Sequence, residues 1–190
     1  MEALEHFAAL IEKWTAKINL ISKASLPDLW SRHILDSAQL IKICPRHIQN
    51  WLDLGSGGGL PGVVVAILAK ELIPTLSMTM VESDKRKSVF LRTAIRELDL
   101  NAAVLNARIE KLDPVQADVI SARALAELDV LLALAERHFE KNTVCLFQKG
   151  ENWQKELSKA QQSWSFQCDI TKSETQPGAI ILKLGEVSRA

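Results

Sequence analysis

Apolar positions in the first 45 residues recur at helical spacing. One stripe advances by steps of three and four residues: Leu4, Phe7, Ile11, Trp14 and Ile18. It predicts a helix over residues 2–18. A second helix is predicted to begin near Pro27 and to turn these side chains toward the core: Trp30, Ile34, Ala38 and Ile41. We therefore expect a helical extension over residues 1–45.

From residue 50 onward, apolar runs of strand length alternate with segments of helical character. The predicted strands cover residues 50–54, 76–82, 102–106, 117–121 and 143–148. The predicted helices cover residues 61–70, 84–98, 124–139 and 152–163. This alternation is typical of an α/β protein with a mostly parallel sheet and helices on both faces. Two further strand-like runs, 166–173 and 179–185, flank Gln176-Pro177-Gly178 and predict an antiparallel C-terminal hairpin.

Composition indicates a globular protein with one main domain, over residues 46–190, on which the helical extension packs. The 190 residues are 47% hydrophobic and 24% charged, and no apolar run is long enough to cross a bilayer or resembles a signal peptide. We expect a single structural domain in the cytoplasm. Three cysteines without C-x-x-C spacing, Cys44, Cys145 and Cys168, predict neither a disulfide framework nor a metal site.

A glycine-rich turn over residues 55–62 links the first predicted strand to the next helix, an arrangement in which backbone amides meet a ligand. Its last six residues fit the dinucleotide pattern G-x-G-x-x-G. Asp53, at the strand end, argues against a pyrophosphate and favours a cationic ligand such as S-adenosylmethionine. A nicotinamide-dependent oxidoreductase, a non-catalytic nucleotide-binding module and a turn that binds nothing remain alternatives.

Acidic and basic side chains follow the other predicted strands. Glu82 ends the second strand, where it is predicted to accept both ribose hydroxyls; the alternative is an acid that stabilises the next helix N-terminus. Asn106–Glu110 follows the third strand and is predicted to hold an adenine, although Arg108 and Glu110 are equally explained as a surface ion pair. Arg123, after the fourth strand, is predicted to fix the acids Asp53 and Glu82, the cofactor carboxylate or an RNA phosphate.

The formal net charge is zero, so an RNA partner must be held by a local basic face. The candidates for RNA contact are Lys17, Arg32, His33, Arg86 and Lys149. The alternative is that such charges are solvated helix faces. For His33, helical spacing also permits a structural hydrogen bond to Asp36.

An ordered set of short motifs spans about residues 10–184. The set is Asn19-Leu20, His33-x-x-Asp36-Ser37, Leu52-Asp53-Leu54-Gly55-Ser56-Gly57-x-Gly59-x-Pro61-Gly62, Glu82-Ser83-x-Lys85, Phe90-Leu91, Arg108-x-Glu110, Ser121-x-Arg123-Ala124 and Lys149-Gly150. It resembles the bacterial small-subunit ribosomal RNA methyltransferase G family, also called glucose-inhibited division protein B. The chain departs from that family at Ile21, where members usually have Thr.

The resemblance implies a class I, Rossmann-like methyltransferase with a seven-stranded sheet. It implies methyl transfer from S-adenosylmethionine to guanine N7 of 16S ribosomal RNA in the 30S subunit. Together with the pattern above, it predicts this cofactor-binding set: Asp53, Gly55, Gly57, Gly59, Leu60, Glu82, Ile109, Glu110 and Arg123. We expect a monomer, and a small-molecule methyltransferase on the same sheet remains an alternative.

The segment after the fourth strand carries no residue suited to methylation of an amine or of carbon. Ser121-Ala122-Arg123-Ala124 stands where an exocyclic-amine methyltransferase often has Asn/Asp-Pro-Pro-aromatic, and Cys145 falls inside a predicted strand. Guanine N7 attacks a sulfonium methyl with its own lone pair and loses no proton. We therefore expect catalysis by positioning, without an essential general base. Arg123 is the one candidate for a catalytic side chain.

Overall fold

The computed structural model of the chain describes all 190 residues, Met1 to Ala190. The strands are β1 (Asn50–Leu54), β2 (Ser77–Val81), β3 (Ala102–Leu105), β4 (Ala117–Arg123), β5 (Phe139–Lys149), β6 (Trp164–Lys172) and β7 (Ile180–Arg189). The α-helices are α1 (Glu2–Thr15), α2 (Asp36–Ile43), α3 (Gly62–Leu72), α4 (Lys85–Glu97), α5 (Leu128–Ala135) and α6 (Trp153–Ala160). None of these helices combines the length and the apolar content that crossing a membrane requires.

All seven strands belong to one sheet, in the order β3-β2-β1-β4-β5-β7-β6. β1 to β5 run parallel, and β7 runs antiparallel to both β5 and β6. The predicted sheet and C-terminal hairpin are confirmed, although β5 and both hairpin strands are longer than predicted. Because the strand order reverses between β1 and β4, the loops that follow these strands diverge and leave a crevice at the carboxyl edge of the sheet.

Each face of the sheet has its own hydrophobic cluster. Successive residues of β1 alternate between the two: Trp51 packs in the cluster that contains α1, α3 and α4, whereas Leu52 packs in the cluster that contains α5 and α6. Since both faces are covered, the strands read as almost continuous apolar runs. This is why the sequence pattern located the parallel strands well.

The N-terminal helices share the core of the first face. Phe7 and Ile11 of α1 are fully buried, and the ring of Trp14 meets Phe90 of α4 edge-on, with centroids 5.6 Å apart. α1 ends at Thr15, earlier than the predicted residue 18. A π-helical turn, Leu29–Leu35, leads directly into α2. The division of the chain into residues 1–45 and 46–190 stays a prediction.

α5 begins later than predicted, because the residues before it are held out of the helix. The sequence pattern predicted a helix from residue 124, but α5 starts at Leu128. Ala124 has a left-handed φ of +51°, and the carbonyl of Ala126 accepts a hydrogen bond from Lys149 Nζ at 2.7 Å. A residue in the left-handed region cannot continue an α-helix without strain, and the Ala126 carbonyl is already used. The loop 124–127 therefore remains at the edge of the sheet.

Candidate active site

Two clefts open side by side at the carboxyl edge of the sheet. The first cleft, of about 330 Å³, lies among the loops after β1, β2, β3 and β4, and its lining includes Gly55, Gly57, Glu82, Ile109 and Glu110. The second cleft, of about 430 Å³, lies over the ends of β4 and β5, and its lining includes Arg32, His33, Asp36, Arg123, Gln148 and Lys149. Ala124 lines both clefts, so they share one wall.

The glycine turn after β1 forms the floor of the first cleft. Gly55 and Gly57 have φ of +66° and +53°, values that side chains disfavour. A Cβ on Gly55 would lie 2.6 Å from Cδ1 of Leu125, which lines the opposite wall. Glycine is therefore needed at residue 55 both for the backbone conformation and for the close approach of the two walls.

Glu82 connects the end of β2 to the glycine turn. Its Oε2 accepts the amide of Gly57 at 2.9 Å, and its Oε1 accepts the amide of Asp84 at 2.7 Å. The helix-capping role belongs to Asp84, whose side chain accepts the amides of Arg86 and Lys87 at the start of α4. Each carboxylate oxygen of Glu82 has a second lone pair available to a ligand. Its role as ribose acceptor stays a prediction, with a geometry that suits it.

Asp53 lies beneath the glycine turn and lines neither cleft. It is fully buried, and its Oδ1 accepts a 2.6 Å hydrogen bond from Ser121. Burial raises the pKa of Asp53 to about 6, although the bond from Ser121 opposes the shift. The expected direct contact between Asp53 and a ligand is therefore corrected: α3 covers the carboxylate, which supports the turn from below.

Gly62, which the sequence reasoning did not single out, makes that burial possible. A Cβ at this first residue of α3 would lie 2.7 Å from Asp53 Oδ2 and 3.0 Å from Met80 Cγ. The helix can approach the sheet this closely only with glycine there. The third glycine of the pattern G-x-G-x-x-G would have pointed to this position, since it serves close helix–strand packing.

Gly59 and Leu60 also lie outside the first cleft, contrary to expectation. Gly59 has a φ of +77° and packs against Val63 and Leu91, and Leu60 is buried. Neither residue belongs to the lining of the first cleft. The glycine pattern assigned Gly59 to the cofactor because it does not separate glycines that face a ligand from those that pack behind the turn. Leu60 was assigned by the family resemblance.

Ile109 and Glu110 form one wall of the first cleft, and the role of this segment in holding an adenine stays a prediction. Arg137 Nη1 donates to the carbonyl of Glu110 at 2.6 Å, and Asn106 Nδ2 donates to the carbonyl of Glu82 at 2.8 Å. These bonds fix the wall from both sides. Arg137 was not a sequence candidate, because nothing in the spacing of its neighbours indicates that it reaches back to this loop.

Arg123 faces the second cleft, so the structure does not bring it to the residues of the first. Its Nη1 lies 3.5 Å from Asp36 Oδ2 and 3.3 Å from the carbonyl of Arg32. Burial lowers the pKa of the guanidinium, whereas the charge of Asp36 opposes that shift. The acid that Arg123 contacts is thus Asp36, and not Asp53 or Glu82, which the sequence reasoning placed beside it; its contact with the cofactor or RNA stays a prediction.

Asp36 is the centre of a buried hydrogen-bond network. Its Oδ2 accepts Gln148 Nε2 at 2.5 Å, and its Oδ1 accepts the hydroxyls of Ser173 at 3.1 Å and Thr175 at 3.0 Å. One carboxylate thus joins α2 to β5 and to the loop of the C-terminal hairpin. Sequence reasoning did not find these three partners of Asp36, because each lies more than a hundred residues away in the chain.

His33 makes no hydrogen bond to Asp36, which corrects the structural alternative. Both of its ring nitrogens are buried and lack a partner, while the residue lines the second cleft. Burial lowers the pKa of His33 to about 4, and the charges of Arg123 and Arg32 add to the shift. At neutral pH the imidazole is therefore uncharged, with one donor and one acceptor unused.

Lys149 is committed to the protein interior and does not present a charge to solvent. Its side chain is 7% exposed, and its Nζ donates to Glu156 Oε2 and to the Ala126 carbonyl, both at 2.7 Å. Glu156 Oε2 also accepts the amide of Leu128 at 3.0 Å. The expected RNA contact is corrected: Lys149 holds the loop 124–127 that separates the clefts.

The other basic candidates lie at different places on the surface. Arg32 is exposed at the rim of the second cleft. Arg86 is exposed at the start of α4 and lies 3.8 Å from Asp84. Lys17 lines a separate depression beside Trp14. The structure therefore brings Arg32 together with His33 but not with Lys17, and their contacts with RNA stay predictions.

The three cysteines lie apart from both clefts. Cys145 is buried inside β5, where burial raises the pKa of its thiol. Cys44 and Cys168 are partly buried and unpaired. No three His, Cys, Asp or Glu side chains form a group suited to a metal ion.

Comparison with known folds agrees with this architecture. A structure of a SAM-dependent methyltransferase from Aquifex aeolicus superimposes with a TM-score of 0.66 and 13% identity, covering 94% of this chain and 97% of that one. M. jannaschii TYW2, solved in complex with AdoMet, superimposes with a TM-score of 0.62 and 13% identity, covering 93% of this chain and 80% of that one. At this identity the likeness establishes the fold.

Comparison of sequences is more specific. Over 189 residues the chain is 50% identical to ribosomal RNA small subunit methyltransferase G of Ruegeria sp. (strain TM1040), covering 100% of this chain and 92% of that protein. It is 53% identical over 183 residues to the protein of that name from Cereibacter sphaeroides (strain ATCC 17029 / ATH 2.4.9), covering 96% and 89%. The family model for rRNA small subunit methyltransferase G matches residues 1–178. The chain belongs to the rRNA small subunit methyltransferase G family.

Proposed function

We propose that this chain transfers a methyl group from S-adenosylmethionine to N7 of a guanine in the 16S ribosomal RNA of the small ribosomal subunit. Family membership supports the reaction class and argues against the nicotinamide-dependent oxidoreductase. The observation that carries the proposal is the pair of clefts divided by Ala124. One cleft suits the methyl donor and the other suits a base. Because the two clefts adjoin at Ala124, the donor methyl and the base can meet there, so that the N7–carbon bond forms as the sulfur–carbon bond breaks.

The first cleft fits S-adenosylmethionine in shape and in chemistry. Gly55 and Gly57 leave its floor without side chains, and Glu82 offers charged acceptors where a ribose diol would lie. Ile109, Leu125 and Leu134 give apolar walls for an adenine. The binding set that we propose is Gly55, Gly57, Glu82, Ile109 and Glu110, with Asp53 in a supporting role.

When bound, the cofactor supplies a methyl group on a sulfonium, which the in-plane lone pair of guanine N7 attacks directly. No proton leaves N7, so no side chain has to act as a base. The residues of the chain contribute by holding the base in line and by excluding water, a proximity effect worth up to about 7–11 kcal/mol. His33 is uncharged at neutral pH because its pKa is about 4, which suits a positioning role.

The second cleft also suits the charge that the reaction creates. An N7-methylated guanine carries a positive charge, and Asp36 is the anion buried in this cleft. Arg123 beside it offsets part of that charge, so a neutral base is also accommodated. Neutral His33 adds no further positive charge to a lining that already includes Arg32, Arg123 and Lys149. The same cleft is therefore compatible with substrate and product.

We propose that the chain acts as a monomer on RNA and binds it on the side of the second cleft. Arg32 and Trp30 are both exposed in the π-helical turn, Leu29–Leu35, that also carries His33. A cation and an aromatic ring are suited to phosphate contact and to base stacking. With a net charge of zero, the chain relies on such local contacts.

The test is incubation of the chain with tritiated S-adenosylmethionine and 30S subunits that lack the modification, with naked 16S RNA in parallel. The labelled RNA is digested to nucleosides, and the labelled nucleoside is compared with 7-methylguanosine by mass and chromatography. The expected result is label in 7-methylguanosine alone, and subunits that are already methylated should take up none. Label on an exocyclic amine, on carbon or only on small molecules would overturn the proposal.

A further inference from the structure

Gln148 leaves a buried hydrogen-bond acceptor unpaired in the second cleft. The residue is 7% exposed and lines that cleft, and its Oε1 has no partner. Buried polar atoms are almost always paired, because an unpaired one costs about 1–3 kcal/mol. The two ring nitrogens of His33, in the lining of the same cleft, are also unpaired. Two unsatisfied groups in one cleft indicate a polar ligand.

The amide of Gln148 cannot be turned over to remove this acceptor. Its Nε2 donates to Asp36 Oδ2 at 2.5 Å and to the Asp36 carbonyl at 3.1 Å. Both partners are acceptors only, so the nitrogen must face them and the oxygen must face away. Asp36 is held in turn by Ser173 and Thr175. A side chain in the lining of the cleft therefore carries a buried acceptor of fixed orientation.

An acceptor fixed opposite position 1 or 2 of a purine selects guanine over adenine, whose amino group is at position 6. Guanine has donors at N1–H and at the 2-amino group, on the edge opposite N7, whereas the N1 of adenine is itself an acceptor. We infer that Gln148 recognises the guanine to be methylated by accepting a hydrogen bond from its N1–H or 2-amino edge in the second cleft. This inference rests on the proposed function and adds to it the group that distinguishes guanine from adenine.

The strand order places Gln148 on the side of the second cleft away from the glycine turn. Gln148 on β5 pairs in register with Arg123 on β4, which precedes the shared wall at Ala124. β5 lies one strand farther from β1 and its glycine turn than β4 does. A base whose N7 faces Ala124 and the methyl donor would thus direct its opposite edge toward Gln148.

The experiment compares three forms of the target nucleotide in reconstituted 30S subunits: guanosine, inosine, which lacks the 2-amino group, and 2-aminopurine riboside, which lacks N1–H. With the unaltered chain, at least one replacement should lower kcat/KM about tenfold, the usual effect of leaving a buried acceptor unpaired. With Gln148→Met, that penalty should shrink to less than threefold, since the acceptor is gone.

Gln39→Met is the matched control, because Gln39 Nε2 also donates to Asp36, at 3.1 Å, but lies outside the lining of the second cleft. It should retain the full penalty. Calorimetry with S-adenosylmethionine checks that each variant is folded. The inference is overturned if the unaltered chain shows no penalty for either replacement, or if Gln148→Met and the unaltered chain show equal penalties. Failure of the proposed function is distinct: guanosine itself would not be methylated at N7.

Discussion

Glu82 uses both carboxylate oxygens to hold backbone amides of the loops that form the first cleft. If its remaining lone pairs accept ribose hydroxyls, Glu82→Gln should weaken S-adenosylmethionine binding at least tenfold in a calorimeter, because bonds to a charged acceptor contribute about 1.5–3 kcal/mol. Asp84→Asn is the control, since Asp84 neighbours the cleft without lining it, and it should change the affinity less than threefold. An unchanged affinity for Glu82→Gln would exclude the ribose contact.

His33 should make the stability of the chain depend on pH. Its pKa is about 4 in the folded protein, against 6.5 as the ordinary value, so the unfolded chain binds more protons between these limits. The free energy of unfolding therefore falls as the pH decreases from 7 to 4. His33→Gln removes this contribution, so the variant should gain stability relative to the unaltered chain over that interval.

Urea unfolding at pH 7 and pH 4.5 measures this difference. Two other groups also contribute to the pH dependence of unfolding: Asp53, whose raised pKa acts in the opposite direction, and His138, whose pKa is lowered by burial. Because both proteins contain them, their contributions cancel in the comparison. Equal pH dependence of the two proteins would show that His33 titrates normally.

At the scale of single residues, the sequence predicted the positions of the polar side chains along the chain better than it predicted which residues cover or contact them. It placed Glu82 directly after β2, and Ile109 and Glu110 in the segment after β3, because the carboxyl edge of a parallel sheet follows from the apolar pattern. It assigned Asp53 to ligand contact and Lys149 to RNA contact, whereas the structure buries both side chains. Burial depends on which helix covers a side chain, and that is decided by tertiary packing.

Helix α3 can approach β1 only because Gly62 has no side chain. Gly62→Ala should destabilise the fold by about 1–3 kcal/mol, the usual effect of overpacking, since its Cβ would lie 2.7 Å from Asp53 Oδ2. Gly185→Ala in β7 is the control, because nothing lies within 4 Å of a Cβ there. Urea unfolding should show the loss for residue 62 alone. Equal effects would mean that α3 shifts freely.

The loop between the clefts is held to α6 by the ion pair of Lys149 and Glu156. Lys149→Met should cost about 2–3 kcal/mol, because it leaves Glu156 without its cationic partner and the Ala126 carbonyl without its donor. The Lys149→Met, Glu156→Gln double variant should recover part of this loss. Lys42→Met breaks an exposed pair with Glu174 and should cost less than about 1 kcal/mol.

The measurement is again urea unfolding, with RNA binding at two salt concentrations. A variant Lys149→Met of normal stability with a weaker, less salt-dependent affinity for RNA would restore the original prediction of a phosphate contact.

At the scale of elements, periodicity predicted which elements exist and approximately where they lie. It failed at the start of α5, where the stop signal is Ala124 in a left-handed conformation and a carbonyl bonded to Lys149. Alanine normally favours a helix, so the local sequence predicted a helix at a residue that lies outside it. Contacts from a distant strand decided that boundary.

For the whole molecule, RNA binding should depend on the face that carries the second cleft. Arg32→Ala should lower the affinity for 30S subunits and reduce the slope of log K against log salt by about 0.7–0.9, the value for one phosphate contact. Lys141→Ala is the control: Lys141 is exposed near the start of β5, at the opposite edge of the sheet. Filter binding measures both, and equal slopes for the two variants would place the RNA elsewhere.

The fold as a whole was predictable, whereas the presence of two adjoining clefts was not. Strand alternation fixes a parallel sheet and its carboxyl edge. The second cleft depends on hydrogen bonds from Gln148 and Ser173 to Asp36. These residues lie far apart in the sequence, so no local pattern predicts that they are in contact.

The hairpin loop that bonds to Asp36 contributes to the second cleft and not to the first. No lining residue of the first cleft lies beyond Leu134, whereas the second includes Gln176, Ala179 and Ile180. Proteolytic clipping of that loop would leave an enzyme that still captures its donor yet no longer recognises an acceptor. Such a product would compete for the cellular donor pool while modifying nothing.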